Sequence, residues 1–283
     1  MGTGWRRIVR RVVKNRLSAI SMVGLLGLVV IAIIGPYVVP FPKDATGVAR
    51  LAVRLSPPGG QFLMGTDDMG RDIFSRVVIG VRLSLLTSIV VVTVASTLGT
   101  VLGAIAGYFG GWLDEIIMRV TDAFLSIPSL VLALAVGASI GPGLTNAMIA
   151  ITLVWWPWYA RLVRSQVLRL RNLEFVESAR AAGALSGRII FRHILPSCTA
   201  PVLVQASLDM GFVMLTAASL GFLGLGAQPP SAEWGLMVSS GRLFFPAYWW
   251  VATYPGLAIF ITVLLWNLAG DGIRDILDPR LNA

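Results

Sequence analysis

The sequence is poor in the residues that form disulfides and bind metals. It contains one cysteine, Cys198, and one histidine, His193. A disulfide needs two cysteines, and cysteine/histidine zinc sites use three or more such ligands. Both kinds of site are therefore excluded within a single chain, and we expect no metal centre here.

Lysine is almost as scarce, and its two positions exclude a nucleotide-binding loop. Lys14 follows a valine and Lys43 follows a proline, whereas a P-loop places lysine between glycine and serine or threonine. If the protein uses ATP, another chain must bind it. The sequence also lacks the histidine, cysteine or carboxylate constellation that a hydrolase needs, so we expect no catalytic residue and no cofactor in this chain.

Charged residues make up only 13% of the 283 positions, whereas hydrophobic residues make up 56%. This composition is too apolar for a soluble globular protein and indicates a chain that crosses a membrane several times. Apolar stretches of sufficient length predict an all-α fold with six transmembrane helices. They lie at 18–40, 83–108, 121–140, 143–163, 199–222 and 247–269.

The basic residues predict the orientation of these spans. With residues 1–17 inside as a basic anchor, sixteen lysines and arginines fall on the cytoplasmic side and seven outside, in agreement with the positive-inside rule. A cleaved signal peptide is the alternative, but no small-residue cleavage site follows the long apolar run 18–40. The net charge of +9 forms no basic stripe with interleaved aromatics, so we expect no nucleic-acid partner.

Several side chains in the spans predict how the helices pack. Gly99, Gly103 and Gly107 recur every four residues and form a small face that favours close helix packing. Pro128 and Pro157 predict bends in the third and fourth spans. An aromatic cluster near the end of the fourth span predicts a belt at the membrane interface. Its members are Trp155, Trp156, Trp158 and Tyr159.

Residues 41–82 form a polar external loop that contains three aspartates close together in sequence. A metal site is one interpretation, but helix capping and pairing to neighbouring arginines is favoured. The acids are Asp67, Asp68 and Asp72, the arginines are Arg71 and Arg76, and the expected cap is Thr66, Asp67 or Asp68.

Two polar residues, Gln205 and Asp209, lie within the apolar fifth span. An ionisable residue at membrane depth is costly and therefore suggests a function. Both residues are candidates for a substrate pathway. The alternative is that Asp209 lies near the lipid headgroups or pairs with another helix.

The stretch 174–196, EFVESARAAGALSGRIIFRHILP, is polar and basic although apolar segments flank it. Residues 177–182 favour a helix. Gly183 follows where a helix commonly ends, because glycine adopts the left-handed conformation at little cost. A second helical run, 187–194, is expected to stop at Pro196. The stretch therefore predicts two short helices joined at a glycine, outside the bilayer.

This stretch resembles the EAA loop of permease subunits in binding-protein-dependent ABC importers. Its spacing fits that motif, with serine in place of the first alanine; the matching positions are Glu177, Ser178, Ala179, Gly183, Leu195 and Pro196. Three further segments, 65–76, 222–230 and 270–283, resemble the dipeptide, oligopeptide and nickel permeases of the same family.

The resemblance implies a type I importer permease in the cytoplasmic membrane of a bacterium or archaeon, with both termini in the cytoplasm and membrane lipid around it. In that family a second homologous permease completes the pathway, two ATP-binding subunits hold ATP and magnesium, and an extracytoplasmic binding protein delivers substrate. The loop docks on the ATPase by helix-in-groove recognition. The implied coupling residues are Glu174, Glu177, Ser178, Ala179, Arg180, Ala182, Gly183 and Pro196.

The resemblance also implies four parts of the chain: an anchor, a first helix with its external loop, a permease core whose coupling loop is 164–198, and a cytoplasmic tail. Their ranges are 1–17, 18–82, 83–269 and 270–283. The implied cargo is di- or oligopeptides, with nickel, glutathione, haem or another small solute left open. A stand-alone channel or ion-coupled transporter that uses Asp209 is the alternative class, although the sequence shows no internal repeat.

Overall fold

The computed structural model describes residues 16–277 of the chain. Within that range the regular structure is helical, and the only β-type pairings are two isolated bridges in the first external loop. The expected anchor 1–17 lies outside the described residues except for its last two positions. The end of the expected tail, 278–283, lies outside them as well.

Nine helices account for most of residues 16–277. We number them α1 to α9 in chain order, and short 3-10 turns connect some of them. Their bounds are α1 Arg16–Val38, α2 Ile73–Phe109, α3 Gly111–Leu125, α4 Ser129–Ile140, α5 Leu144–Leu170, α6 Glu174–Ala181, α7 Ser186–Phe222, α8 Trp234–Gly241 and α9 Trp250–Leu277.

The six predicted spans correspond to α1, α2, the pair α3 and α4, α5, α7 and α9. Within residues 16–277, four of these helices (α1, α2, α7 and α9) are long and apolar enough to cross a membrane, and the α3–α4 pair makes a fifth. The remaining helix, α5, is 27 residues long. It is less apolar because residues 155–169 contain three tryptophans, a tyrosine and three arginines.

The second span begins ten residues earlier than predicted. α2 has 37 residues, starts at Ile73, and is capped by Asp72, whose Oδ2 accepts the Ser75 N–H at 2.8 Å. The expectation that Thr66, Asp67 or Asp68 caps this helix is therefore wrong. At 1.5 Å per residue α2 is about 55 Å long, well beyond a hydrocarbon core of about 30 Å. α2 is therefore longer than the apolar run 83–108 from which the span was predicted.

The third span is not the continuous helix predicted for 121–140. α3 and α4 meet at an angle of 93°, and Pro128 occupies the N-cap position of α4 with an extended ψ of 126°. The predicted bend at Pro128 is confirmed, because proline and its restricted neighbour end one helix and begin the next. Pro157 lies inside α5 without ending it.

Pro196 does not stop the second coupling helix, so this prediction is wrong. α7 runs continuously from Ser186 to Phe222 and joins that helix to the fifth span. Residues Ile190–Ile194 form a π-type turn immediately before the proline. Proline has no N–H to donate, and the wider turn accommodates the lost hydrogen bond. The loop and the span therefore form one rigid element.

The predicted glycine face is confirmed as the contact between α2 and α5. A Cβ atom added at Gly99 would lie 2.4 Å from the Trp156 carbonyl oxygen, and one added at Gly103 would lie 2.3 Å from the Ala160 carbonyl oxygen. Gly107 continues the same face toward the end of α5. Small residues thus let the two backbones approach closely.

The predicted aromatic belt is wrong for three of its four members. Trp155, Trp156 and Tyr159 are buried in the core, and only Trp158 is exposed. They pack with side chains of α2, α4 and α7 around α5. Because α5 is enclosed on these sides, its aromatic rings fill the helix bundle instead of lying at the membrane interface.

Candidate functional site

The predicted glycine break lies at the end of α6 as a complete C-terminal cap. The Gly183 N–H donates to the Arg180 carbonyl at 3.0 Å, and the Ala184 N–H donates to the Ala179 carbonyl at 3.1 Å. Gly183 has a φ of +78°. These two bonds and the left-handed residue form the Schellman arrangement, in which glycine avoids the strain that a side chain would bring.

α6 rests on a buried apolar cluster that several helices share. Val176 is the fully buried residue of α6, and Ala179 packs beside it. α2, α5 and α7 supply the rest of this cluster. Its other buried members are Ala104, Val163, Val167, Ile189, Ile190, Ile194 and Cys198. The inward face of α6 is therefore fixed to the helices that lead into the membrane.

The outward face of α6 carries most of the predicted coupling residues. Glu174 and Glu177 lie in the first turn and Arg180 in the last, where each charge has the sign that the helix dipole favours. Ala179 is half-buried, whereas the other predicted coupling residues are exposed; these are Glu174, Glu177, Ser178, Arg180, Ala182, Gly183 and Pro196. The structure thus brings α6 and its cap together as one free surface, with Pro196 farther along on α7.

Exposed apolar side chains surround this surface, and the sequence analysis missed them. Leu185 is 81% exposed, and Leu173, Phe175 and Phe191 are also exposed. In the sequence, these side chains could have been recognised as large apolar residues within a polar loop. Exposed apolar groups beside charged residues are suited to contact a protein partner.

Gln205 and Asp209, the predicted pathway residues, lie together on α7 and face α5. The Gln205 Nε2 donates to Asp209 Oδ1 at 3.0 Å. Asp209 is only 5% exposed, and Tyr159 and Trp155 of α5 lie beside its carboxylate. Asp209 is therefore buried against α5 and hydrogen-bonded within its own helix; a role in the pathway stays a prediction.

Helix contacts indicate the level of Asp209 along the helix bundle. A Cβ at Gly272 would lie 2.5 Å from Ser18 Oγ, and a Cβ at Gly270 would lie 3.2 Å from Ser207 Oγ. Ser18 is at the start of the apolar run of α1. Asp209 is two residues from Ser207, so it lies within about one helical turn of the level at which that apolar run begins.

The acids of the first external loop are paired with arginines, as predicted. Asp67 Oδ2 lies 2.7 Å from Arg71 Nε and 3.6 Å from Arg76 Nε, and Asp68 lies 3.8 Å from Arg71. Asp72 caps α2. Among residues 16–277 no group of three or more potential ligands could hold a metal ion. The carboxylates therefore serve the fold of the loop.

Arg76 joins this loop to the segment before α8. Its Nη1 donates to the Asp44 carbonyl at 2.8 Å and its Nη2 donates to the Ser231 carbonyl at 2.9 Å, while its side chain is buried. Trp234 Nε1 donates to the Val77 carbonyl at 2.9 Å nearby. Two segments that are distant in sequence thus form one cap over the N-terminal end of α2.

Burial changes the proton affinity of two carboxyl groups in this cap. It raises the pKa of Asp44, although the N–H of Asp72 and the charge of Arg50 act in the opposite direction. It also raises the pKa of Glu233, which caps α8 by accepting two backbone N–H groups. Desolvation disfavours the charged form more than these bonds favour it.

On the opposite side of the bundle, ion pairs hold α3 against α5. Arg164 Nε and Nη2 lie 2.5 Å and 2.6 Å from the two carboxylate oxygens of Asp114. One helical turn earlier on α5, Arg161 donates to Asp122 at 2.5 Å. A two-point contact between arginine and carboxylate fixes the orientation of both side chains. α3 is therefore tied near both of its ends to the helix that leads into α6.

Comparison with known proteins identifies the family. Residues 99–283 match the family described as the binding-protein-dependent transport system inner membrane component. The chain belongs to this family. Residues 3–58 also match the N-terminal transmembrane domain of oligopeptide transport permease C. The chain is therefore a permease subunit of an importer, a transport component and not an enzyme, and it is embedded in a membrane.

Curated relatives cover almost the whole permease. The dipeptide transport system permease protein DppC of Alkalihalophilus pseudofirmus is 46% identical over 279 residues, which are 99% of this chain and 91% of that protein. DppC of Escherichia coli K12 is 49% identical over 271 residues, or 95% and 90%. The probable D,D-dipeptide permease DdpC of the same strain is 46% identical over 93% and 88%.

The fold is that of an ABC importer permease of type I, as predicted. An inward-facing structure of the MetNI methionine ABC transporter matches with a TM-score of 0.60. The match covers 73% of this chain and 98% of that one at 21% identity. The predicted family, fold class and absence of enzymatic activity are confirmed by these comparisons.

Proposed function

We propose that the permease forms half of the pathway of an ATP-driven importer for dipeptides or short oligopeptides. The relatives that support this cargo are named for dipeptide transport and match at 46% to 49% identity over nearly the full chain. Because this sequence identity extends over nearly the whole length, it includes both the membrane helices and the external segments. A stand-alone ion-coupled transporter does not agree with membership of a binding-protein-dependent family.

The free surface of α6 is the observation that carries the coupling mechanism. α6 is short, its outward face is exposed, and its inward face rests on side chains of α2, α5 and α7. A helix held in this way can enter a groove on another protein and pass that protein's movement to the bundle. The partner we propose is an ATP-binding subunit, one for each of two permease chains.

In the proposed cycle, the ATPase pair holds ATP and magnesium, and this chain supplies the docking helix. Closing of the pair moves α6, and the buried cluster around Val176 carries that movement into α5 and α7. The bundle then switches between inward-facing and outward-facing states. An extracytoplasmic binding protein delivers the peptide to the external side, where the first loop and the α8 segment form a cap. Both termini lie in the cytoplasm.

The partners can be tested by purifying the tagged permease from its native membrane in mild detergent and identifying the co-purifying chains by mass spectrometry. We expect a second permease and one or two P-loop ATPases. The matching binding protein is then titrated calorimetrically with di-alanine, with tri-alanine and with nickel chloride.

Each arm of this experiment has a clear outcome. Recovery of the chain alone, or only as a homo-oligomer, contradicts the proposed assembly. Binding of nickel but of neither peptide contradicts the proposed cargo while leaving the assembly intact. Binding of di-alanine or tri-alanine supports the peptide class and shows the preferred length.

A further inference from the structure

α5 and α7 flank α6 along the chain, and the buried cluster beneath α6 joins them again in space. Val163 and Val167 come from α5, and Ile194 and Cys198 come from α7. Side chains packed at the density of a protein interior transmit displacements and do not absorb them. A movement of α6 must therefore change how α5 and α7 lie against each other.

The contact between these two helices continues beyond the cluster to a polar pair. On α5, Tyr159 precedes Val163 by four residues, so the two side chains share one face. On α7, the same helical face continues at intervals of three or four residues; its positions are Ile194, Cys198, Val202, Gln205 and Asp209. We call this contact the α5–α7 seam: apolar near α6 and polar at Tyr159 and Asp209.

The polar pair is buried, and its hydrogen bonding is incomplete. Tyr159 has no exposed surface, and Asp209 is almost fully buried. Gln205 donates to Asp209 Oδ1, but Asp209 Oδ2 and the Tyr159 hydroxyl oxygen make no hydrogen bond of normal geometry, although the two groups are close enough to interact. A phenol supplies one donor and a carboxylate oxygen accepts, so each group offers what the other lacks.

An unpaired polar group in the protein interior is costly. A small movement that brings the Tyr159 hydroxyl and Asp209 Oδ2 into hydrogen-bond geometry therefore lowers the free energy. We propose that the Tyr159 hydroxyl donates to Asp209 Oδ2 in one transport conformation, and that making and breaking this bond switches the α5–α7 seam between two positions. Tyr159 and Asp209 are then positioning residues, and Gln205 holds the carboxylate in orientation. This inference rests on the proposed function, because it requires α6 to receive the movement of the ATPase.

The test uses the complete importer reconstituted in liposomes with its binding protein, and it measures peptide taken up per ATP hydrolysed. Tyr159→Phe removes only the hydroxyl, and Asp209→Asn keeps the shape of the carboxylate while removing its charge. Each is expected to lower the ratio by about tenfold, the factor that corresponds to one charged hydrogen bond. The ratio of the double variant should fall no further than that of the more affected single variant, because Tyr159→Phe removes the donor and Asp209→Asn removes the charged acceptor of the same bond.

Tyr248→Phe is the matched control, since it removes a hydroxyl from the external loop before α9 and should leave the ratio unchanged. A wild-type ratio in both single variants overturns the proposal, and so do independent effects that multiply in the double variant. If Tyr159→Phe does not assemble with the ATPases, Asp209→Asn and Asp209→Glu carry the test. If none of them assembles, the pair is structural and the proposal fails.

The same assay distinguishes this inference from the proposed function. Gly183→Asp alters the cap of α6 and reports on docking alone. If that variant keeps the wild-type ratio, the proposed coupling role of α6 is wrong. If it lowers the ratio while Tyr159→Phe and Asp209→Asn do not, α6 couples and only the role of the α5–α7 seam is wrong.

Discussion

Gly103 of α2 lies directly against the Ala160 carbonyl oxygen of α5, at a distance that leaves no space for a side chain. A Cβ atom at Gly103 would come within 2.3 Å of that oxygen. The helix backbones must therefore separate if any larger residue is placed there. This contact lies between Gly99 and Gly107 on the glycine face that α2 presents to α5.

We expect Gly103→Val to destabilise the permease by about 3 kcal/mol, since overpacking a tight contact costs this much. Gly27→Val is the control, because a Cβ at Gly27 has no atom within 4 Å. Thermal unfolding of the purified protein in detergent compares the two. Equal unfolding temperatures for the two variants would contradict the close packing of α2 and α5.

The ion pair between Asp114 and Arg164 predicts a difference in stability between two variants of α3. Asp114→Asn should destabilise the attachment of α3 by about 2 kcal/mol, because it breaks a partly buried, charged, two-point contact. Glu115→Gln on the same helix removes an exposed pair with Arg119 and should cost about 0.5 kcal/mol or less.

Denaturant unfolding measures both of these changes. Charge exchange in the double variant Asp114→Arg and Arg164→Asp should restore part of the lost stability. A loss of stability that is the same for Asp114→Asn and Glu115→Gln would show that the α3–α5 pair contributes no more than a surface pair.

We expect the buried side chain of Arg76 to stabilise the cap that the first loop forms with the segment before α8. Its side chain is only 3% exposed, and Arg76→Met leaves the carbonyls of Asp44 and Ser231 and the Asp67 carboxylate with one partner fewer. We expect a loss of about 3 kcal/mol, as for a broken buried pair. Arg82→Met, at an exposed position of the same helix, should have little effect. Limited proteolysis of the external loops would detect the difference, and equal cleavage rates would contradict it.

The sequence predicted the elements whose cause is local. Gly183 ends α6 because a left-handed residue is needed there, and the glycine repeat of α2 marks the contact with α5 because only small residues permit it. The pairing of Asp67 with Arg71 is also local, since the residues are four apart. These features depend on the conformation and size of single residues.

The remaining errors concern features that the tertiary structure decides. The aromatic residues of α5 match an interfacial belt in composition, but the helices around α5 bury three of them. Pro196 is a helix breaker by propensity, yet a wider turn before it keeps α7 continuous. The side chain of α5 that lies beside Asp209 is 50 residues away in sequence, and no local pattern indicated Tyr159.

The central claim is that α6 with its glycine cap couples the permease to an ATPase, and two glycines of the same loop test it directly. Gly183 has a φ of +78°, whereas Gly187 has no positive φ, and a Cβ at either one has no atom within 4 Å. Gly183→Asp should strain the cap, because L-residues rarely adopt that conformation. Gly187→Asp introduces the same charge and size nearby without that strain.

The measurement is ATP-driven peptide uptake by the reconstituted importer carrying each variant, with the amount of inserted permease checked for both. We expect uptake to be abolished by Gly183→Asp and retained by Gly187→Asp. Normal uptake by Gly183→Asp would contradict the coupling role of α6.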